Sequence, residues 1–333
     1  MTELSRRTLL AGAAAVGGAA ALAQSNFNSP AQAAAPLAGK QNPGWYRYKV
    51  GSFEITVVTD GRNNNPLPDI YAANAKKDEI NAVLAARGYP VDRAVQTYTP
   101  VVINTGSKLV AIDTGLGLGV FNQSKGALGQ YQSNLAAAGI DPKQIDTVII
   151  SHLHGDHYGG LIDTDSKPVF VNAEIMVPEA EYKFWMDEGN VTRAPEVLKG
   201  NFAGVKRVFN ALGNKVTQYG GGKELVPGIT SVSTPGHTPD HMSHLVSSGS
   251  EKVMVQADVS AGMAFLFVQN PEWQLQFDSD KPLAVQTRRK LYDQMAADKT
   301  LVQGFHFTFP GIAYIEKAGN GYRLIPAPWN SSI

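Results

Sequence analysis

The chain has no cysteine among its 333 residues, and neither sign of charge is in excess. Without thiols it has no disulfide, no thiolate metal ligand and no cysteine nucleophile, so reactive groups must come from histidine, carboxylate or hydroxyl side chains or from a metal. The 29 basic residues equal the 29 acidic ones, and no run of five basic residues occurs. Proteins that bind nucleic acid concentrate lysine and arginine against phosphate. The charge balance therefore argues against a nucleic-acid partner.

A hydrophobic run long enough to cross a membrane is also missing. The apolar stretch at 9–23 is 15 residues long and is interrupted by glycine, whereas a spanning helix needs roughly 18 apolar residues. Arg6 and Arg7 precede this stretch, and an Ala-Gln-Ala sequence follows it. This order of regions is typical of an export signal, and the paired arginines indicate the twin-arginine route. We expect residues 1–33 to be a cleaved signal for periplasmic export and residues 34–333 to be a single domain with no stable membrane anchor.

Short strands and helices alternate through the rest of the chain. Period-two patterns around Gly-Ser turns predict hairpins at Tyr46–Asp60 and Val101–Asp113. Further strands are predicted at Asp146–Ser151, Val169–Val177, Ile229–Val232, His244–Ser247, Lys252–Gln256, Val302–Phe305 and Tyr322–Ile325, and helices at Leu128–Ala138, Glu179–Asp187 and Val285–Ala297. Each half ends a strand in histidine or aspartate, which predicts two similar β-rich halves packed face to face with helices outside. Residues 63–92 are less periodic and are predicted to form an inserted helical cap or loop.

The most informative feature is the sequence Ser-His-Leu-His-Gly-Asp-His, which ends at His157. His152 and His154 are two residues apart, so an extended segment points both side chains the same way. The following glycine permits a sharp turn before Asp156 and His157. The chain has seven histidines in total, so three within six positions indicate a site. Such a loop can direct two histidines at one metal and an aspartate and a histidine at another.

Three further ligand-type residues, His237, Asp258 and His306, follow predicted strands. Each alone is weak evidence, because a lone histidine is more often a core or surface residue. Together with the cluster they complete two coordination shells. One metal is expected on His152, His154 and His237 and the other on Asp156, His157 and His306, with Asp258 bridging them. His241 and His244 are expected to have a surface or supporting role.

This pattern resembles the metallo-β-lactamase superfamily. The resemblance rests on the HxHxDH run, the later TPGH, the Ala-Asp pair at the end of a strand and the late histidine. Within the superfamily the chain is similar to the methyl parathion hydrolases, including the segments Pro43–Arg47, Asn104–Val110, Leu225–Ile229, Asp278–Asp280 and Phe309–Ile312. All seven ligand positions of that family are matched. Gly155 stands where proline is common and Asp240 where glycine is common, so we expect differences in loop geometry and substrate preference.

The resemblance implies an α+β fold, an αββα sandwich, and a hydrolase with two divalent metals. Histidine and carboxylate ligands suit zinc, and they also admit manganese, iron or cobalt. Two such metals share a bridging hydroxide that attacks the substrate, with Asp258 orienting it and Asp156 as a second catalytic carboxylate. The preferred substrates are small neutral organophosphate triesters. The alternative is a lactonase or arylesterase that acts on acyl-homoserine lactones and cleaves phosphotriesters incidentally.

Other activities of this fold fit the sequence less well. A nuclease would need a basic groove, and a di-iron oxidoreductase would favour a carboxylate at His154 and usually an electron-carrier domain. A non-enzymatic metal-binding module would tend to lose ligands, and one group of lactamases needs a thiolate ligand. The resemblance also suggests a homodimer.

The resemblance assigns several residues around the expected site. Phe121, Trp185 and Phe202 match an aromatic lip of the pocket, where an aryl leaving group would pack, although each could instead belong to the core. Asp113, in an Ile-Asp-Thr-Gly sequence, is either an acceptor for a ligand histidine or a residue that caps a turn. The acidic residues of the predicted helix are expected to face solvent: Glu179, Glu181 and Asp187.

Overall fold

Two seven-stranded sheets are the framework of the protein in the computed structural model, which describes residues 37–193 and 196–333. The predicted export signal, residues 1–33, lies outside the described residues. Over those described ranges, no helix combines the length and the apolar character needed to cross a membrane. Pro43–Ile333 make one compact unit.

The strands are short, as the sequence predicts. Along the described chain they are β1 (Trp45–Val50), β2 (Phe53–Val58), β3 (Arg62–Pro66), β4 (Arg93–Thr97), β5 (Val101–Asn104), β6 (Leu109–Ile112), β7 (Thr147–Ile149), β8 (Glu174–Pro178), β9 (Val216–Tyr219), β10 (Glu224–Val226), β11 (Ile229–Ser233), β12 (Met242–Ser248), β13 (Glu251–Ala257), β14 (Leu301–Gly304), β15 (Ile312–Ala318) and β16 (Gly321–Pro326).

Helices connect the strands at several places. The α-helices of the described ranges are α1 (Lys77–Ala86), α2 (Leu118–Gln123), α3 (Tyr131–Ala137), α4 (Gly155–Tyr158), α5 (Glu179–Met186), α6 (Glu188–Arg193), α7 (Glu196–Leu212), α8 (Ala264–Gln269) and α9 (Lys281–Asp298). Short 3₁₀ turns lie at Pro142–Gln144, Gly159–Leu161 and Gly213–Lys215.

Each sheet is built from a contiguous part of the chain. The first has the order β1-β2-β5-β6-β7-β8-β9, and the second runs in sequence from β10 to β16. Neighbouring strands from β6 to β9 are parallel, as are β13 and β14. Strands β3 and β4, which are connected through α1, pair antiparallel in a separate two-stranded sheet. The chain therefore passes from the first sheet to the second once, between Tyr219 and Glu224.

The pleat of the strands produces the layers. On β2, Ile55 and Val57 pack between the two sheets, whereas Val58 packs with the helices outside the first sheet. On β13, Val255 faces the central core and Met254 faces the outer layer with α8 and α9. Successive side chains of a strand point to opposite faces, so strands that are apolar on both faces must be covered on both. The predicted αββα sandwich is confirmed.

The predicted elements agree with the structure unevenly. The hairpins are confirmed, with Val50 opposite Phe53 around the Gly-Ser turn of the first. The strand predicted at Val169–Val177 is shorter, because residues 169–173 form turns that bury Phe170. The segment 63–92 contains α1 and most of β3. Strand β4 follows this segment and pairs with β3.

Candidate metal centre

The candidate ligands lie in loops at the carboxyl ends of parallel strands. Asp113 follows β6, and the cluster that begins at His152 follows the parallel strand β7. Asp258 follows β13, and His306 follows the parallel strand β14. The carboxyl ends of parallel strands meet at one edge of a sheet, where ligand sites are commonly built. Both sheets therefore contribute side chains to one place.

A tight turn after β11 brings His237 to the same place. Gly236 has a φ of +129°, and a side chain there would collide with the backbone of Ala284 on α9. Glycine alone tolerates both conditions. The turn thus directs His237 at the cluster, with its Nδ1 held 2.8 Å from Asp278 Oδ1.

Three imidazole nitrogens converge in the first ligand group, which consists of His152, His154 and His237. His154 Nδ1 lies 3.1 Å from His152 Nε2 and 3.0 Å from His237 Nε2. A neutral imidazole has one N–H and one lone pair, so three facing nitrogens cannot all satisfy one another. A cation between them would accept all three lone pairs.

The second ligand group consists of Asp156, His157 and His306. Asp156 Oδ2 lies 3.7 Å from His157 Nε2 and 3.5 Å from His306 Nε2. Although His157 is fully buried, its Nε2 has no hydrogen-bond partner among the described residues. A buried polar atom without a partner costs about 1–3 kcal/mol, and a metal at this group would remove that cost.

Asp258 lies between the two groups. Its Oδ1 is 3.4 Å from His157 Nε2, and its Oδ2 is 3.3 Å from the Nε2 atoms of both His237 and His306. Within the described part of the chain, Oδ1 forms no hydrogen bond. The structure thus assembles all seven side chains into the two groups expected from the sequence, and these residues fit two divalent ions. Their role as metal ligands stays a prediction.

The buried carboxylates and imidazoles alter each other's protonation. Burial raises the pKa of Asp258, but His306 and His157 outweigh it and hold that pKa well below its usual range. Burial lowers the pKa of His237, but the hydrogen bonds that the imidazole donates to Asp258 and Asp278 outweigh burial and raise that pKa to about 9. The carboxylates therefore draw positive charge into the cluster, where metal ions compete with protons.

Oxygen atoms hold the outer nitrogens of the histidines. Asp113 Oδ2 lies 2.8 Å from His157 Nδ1 and also accepts a hydrogen bond from Ser151 Oγ at 2.9 Å. The backbone oxygen of Thr97 lies 2.7 Å from His306 Nδ1. Such acceptors fix the imidazole tautomer so that the other nitrogen presents its lone pair. Of the two interpretations of Asp113, the structure favours the acceptor.

Of two supports of this site, sequence reasoning missed Asp278, whereas for His241 it expected a surface or supporting role. Asp278, which holds His237, was noticed only as part of a segment shared with the related hydrolases. His241 Nε2 accepts the backbone N–H of Asp258 at 3.0 Å, so this histidine fixes the backbone of the candidate bridging residue. His241 is fully buried, so of its two expected roles the structure favours the supporting one.

The prediction that Glu181 faces solvent is wrong. Its side chain is 0% exposed, and its Oε2 accepts hydrogen bonds from Leu153 N at 3.2 Å and Trp185 Nε1 at 3.0 Å. The four-residue spacing between Glu181 and Trp185, which places both on one face of a helix, was the available signal.

The predicted aromatic lip needs correction at Phe202. This ring is 1% exposed and packs 4.5 Å from Trp185, centroid to centroid, in the layer outside the first sheet. Trp185, whose own ring is 3% exposed, lies between it and the candidate site, with 6.5 Å between the ring centroids of Trp185 and His154. Phe121 lies half-buried on α2. Its role in the pocket, like that of Trp185, stays a prediction.

A cavity of about 290 Å³ borders the second ligand group at His306. The rings of Tyr89 and Phe265 on its wall are 4.7 Å apart. The rest of the lining is mixed in polarity: Arg62, Asn64, Gly88, Pro90, Val95, Thr97, Met263 and Thr308. The inserted segment and the two-stranded sheet β3–β4 therefore form much of the wall of a small cavity beside the candidate metal centre.

Comparison with known proteins identifies relatives of the whole arrangement. An N-acyl homoserine lactonase from a Bacillus species is 28% identical over 211 residues, which are 61% of this chain and 74% of the relative. The solved structure of AidC, described as a dizinc quorum-quenching lactonase in complex with a product, superimposes with a TM-score of 0.80 and 27% identity, over 86% of this chain and 99% of AidC. The solved structure of the hydrolase AbOPH superimposes with a TM-score of 0.78 and 26% sequence identity. The superposition covers 88% of this chain and 100% of AbOPH.

The match to a family is broad as well. The model of the metallo-β-lactamase superfamily matches residues 94–302, a range that begins in β4, ends in β14 and includes six of the seven candidate ligands. Because strands of both sheets and most of the candidate metal centre lie within this match, the chain belongs to the metallo-β-lactamase superfamily and is a metal-dependent hydrolase.

Proposed function

We propose that the protein is a dinuclear zinc hydrolase that opens the ring of N-acyl homoserine lactones. The observation that carries this proposal is the position of Asp258. Its carboxylate lies 3.3–3.4 Å from histidine nitrogens of both ligand groups, beside a cavity that His306 lines. The lactonase among the relatives and the similarity to AidC support a lactone as the substrate.

The ligand atoms are nitrogen and carboxylate oxygen. Without a thiolate this set still suits zinc, and AidC is described as a dizinc enzyme. When bound, a metal pair lowers the pKa of water and polarises a carbonyl or phosphoryl oxygen. The chain's own part is to hold the histidine tautomers through Asp113, Asp278 and the Thr97 carbonyl. Asp156, whose side chain is 19% exposed, is the carboxylate with access for passing a proton to the leaving oxygen.

The cavity fits a small acyl substrate in size and chemistry. At about 290 Å³ it is close to the lower end of the range for ligand pockets. Tyr89, Phe265 and Met263 offer apolar surface to an acyl chain. The hydroxyl of Thr97 donates to the Phe307 carbonyl oxygen at 2.8 Å, and that of Thr308 pairs with the Tyr89 hydroxyl at 3.0 Å.

Hydrolysis of aryl phosphotriesters or aryl esters is the second candidate function. The observation that favours it is the paired rings of Tyr89 and Phe265, because an aryl leaving group packs well against an aromatic wall. Organophosphate triesters, which the sequence alone favoured as substrates, therefore rank second to lactones.

The test is a parallel measurement of kcat/KM on zinc-loaded protein with hexanoyl- and decanoyl-homoserine lactone, an aryl acetate and a diethyl aryl phosphate. We expect the lactones to be hydrolysed at least about tenfold more efficiently than the others, which is a difference of about 1.4 kcal/mol in transition-state stabilisation. Higher efficiency on the triester would support the second candidate instead. Hydrolysis of none of the four, by protein with two zinc ions bound, would contradict both. Metal-stripped protein is the control.

A further inference from the structure

Glu181 joins the two chain segments that carry the first ligand group. It belongs to neither group of candidate ligands, and its side chain is completely buried on α5. Its Oε2 accepts the backbone N–H of Leu153, which lies between His152 and His154, at 3.2 Å. Its Oε1 accepts the backbone N–H of Asp240, three residues after His237, at 3.2 Å. One carboxylate therefore connects a loop of the first sheet to a loop of the second.

The connection is reciprocal. Asp240 Oδ2 accepts the N–H of Ala180 at 2.9 Å. Ala180 lies in the first turn of α5, where backbone N–H groups have no partner within the helix and a carboxylate is favoured by the helix dipole. Glu181 thus holds the backbone of the His237 loop, and Asp240 of that loop holds the start of the helix.

Glu181 also places an aromatic ring beside the first ligand group. Trp185 Nε1 donates to Glu181 Oε2 at 3.0 Å, and the indole meets the ring of His154 edge to face, with 6.5 Å between centroids. The three contacts of the carboxylate therefore fix the surroundings of His154.

The polar partners of Glu181 are all N–H groups. They belong to two backbones and an indole, and none of the described ion pairs includes this residue. Three N–H donors offset the cost of burying a carboxylate. Because two of these donors lie on the segments that carry the first ligand group, removal of the carboxylate would disturb both segments together.

We propose that Glu181 is a positioning residue for the metal ion of the first ligand group. Together with Asp240 it sets the distance between the segment of His152 and His154 and the loop of His237. This inference rests on the ligand assignment in the proposed function, and the experiment separates the failure of one from the failure of the other.

The test is a titration of metal-free protein with Co²⁺, followed by visible absorbance and by metal analysis after dialysis. Glu181→Gln keeps the size of the side chain, but its amide presents a donor to an N–H that now meets an acceptor. We expect one of the two Co²⁺ ions to bind about 10–100-fold more weakly, as is typical when a support of a metal ligand is lost, while the other is unchanged. Glu179→Gln is the matched control, because Glu179 lies on the same helix, is exposed and pairs with Lys183.

A second pair of variants covers the outcome that Glu181→Gln does not fold. Asp240→Asn retains an acceptor for Ala180 N, whereas Asp240→Gly removes it. We expect Asp240→Gly to weaken the same Co²⁺ ion and Asp240→Asn to stay close to the parent. Emission of Trp185, isolated by difference from Trp185→Phe, should change in Glu181→Gln even without metal.

Two results would overturn the inference. One is a lower thermal midpoint in Glu181→Gln with both Co²⁺ affinities unchanged. The other is an equal affinity in Asp240→Gly, Asp240→Asn and the parent. His237→Ala, titrated in parallel, tests the ligand assignment itself. If it weakens one ion while the other variants do not, the positioning role alone fails. If it weakens neither ion, the assignment of the first ligand group fails.

Discussion

The carboxylate of Asp258 is the residue on which most of the proposed chemistry depends. It approaches His157 of one ligand group and His237 of the other at 3.4 and 3.3 Å. We predict that Asp258→Ala disturbs the occupancy of both ions, whereas His237→Ala mainly affects one and His306→Ala the other. Each change should lower kcat/KM by at least about 100-fold, because both ions are needed to activate water and substrate.

Metal analysis of the purified protein checks this prediction. The parent should hold about two ions per chain. A stoichiometry of one under metal-replete conditions, together with full activity in Asp258→Ala, would contradict the dinuclear centre.

Asp278 connects the metal centre to a buried cation. It holds His237 Nδ1 on one side and faces Arg288 Nη2 at 3.5 Å on the other. Arg288 is 1% exposed and also donates to the backbone oxygens of Val259, Pro271 and Trp273. We predict that Asp278→Asn weakens one metal ion about 10–100-fold, because one amide oxygen cannot serve both neighbours.

Both Asp278→Asn and Asp278→Ala should also destabilise the fold, because each leaves the buried guanidinium of Arg288 without its counter-ion; for Asp278→Ala, which keeps no acceptor oxygen, we expect a loss of about 3–5 kcal/mol. Urea unfolding of the metal-free variants measures this effect separately from metal affinity. Unfolding free energies of both variants equal to that of the parent would show that the pairing with Arg288 is not important for stability.

Single residues were predictable from the sequence where their chemistry is local. The metal-ligand residues between His152 and His157 could be recognised from the sequence, because three histidines and an aspartate lie within six positions. Glu181 and Asp278 were not, because their value depends on partners far away in the sequence, 28 residues in the pair with Leu153 and 41 in the pair with His237. Burial, which decides the role of a carboxylate, is a property of the fold.

At the scale of elements, the two-stranded sheet β3–β4 and the loop after α1 supply most of the residues that line the cavity. Tyr89 and Phe265 come from different parts of the chain and meet at 4.7 Å between ring centroids. We predict that Tyr89→Ala or Phe265→Ala raises KM for decanoyl-homoserine lactone more than for the hexanoyl compound. A lost apolar contact of about 1–3 kcal/mol corresponds to roughly a 5- to 150-fold change.

Tyr314→Ala is the control for the cavity, because this exposed ring on β15 does not line it. The prediction fails if the two lactones suffer equally in Tyr89→Ala and Phe265→Ala.

Elements were predictable where the pattern of apolar residues is regular and a turn marks the end. The first hairpin has both, with Gly51 in a left-handed conformation at its turn. Helix α7 was missed, although Phe202, Val205 and Phe209 recur on one buried face at the helical spacing. Conversely, the segment around Phe170 has a strand-like pattern, but Phe170 lies in a turn and packs in the core layer outside the first sheet. A local sequence pattern can indicate that a side chain is buried, but it does not determine whether the backbone there forms a strand or a turn.

For the whole molecule, the metal ions would be cross-links between the two sheets, because each candidate ligand group combines residues from both. A ligand present at 1,000 times its Kd stabilises the native state by about 4 kcal/mol. We predict that chelation lowers the thermal midpoint, measured by circular dichroism, by several degrees, and that added Zn²⁺ restores it. An unchanged midpoint in protein shown to be metal-free would contradict the cross-link.

Export also concerns the whole protein, and periplasmic localisation remains a proposal that rests on the sequence of residues 1–33. Replacing Arg6 and Arg7 by lysine should retain the precursor in the cytoplasm, because the twin-arginine route recognises the pair. Fractionation of cells that express both forms checks this. Normal recovery of the lysine variant from the periplasm would exclude that route.

The single passage of the chain from one sheet to the other sets the order in which the centre is assembled during synthesis. Because chains fold from the amino end as they are made, the loop of His154 and Asp156 exists before β10 has left the ribosome. His237 and Asp258 follow with the second sheet, and His306 comes near the carboxyl end. A chain that ends before β10 therefore has two of the three residues of each ligand group, and the second group stays incomplete until His306 has been made. Occupancy of both metal positions would thus require nearly the full chain.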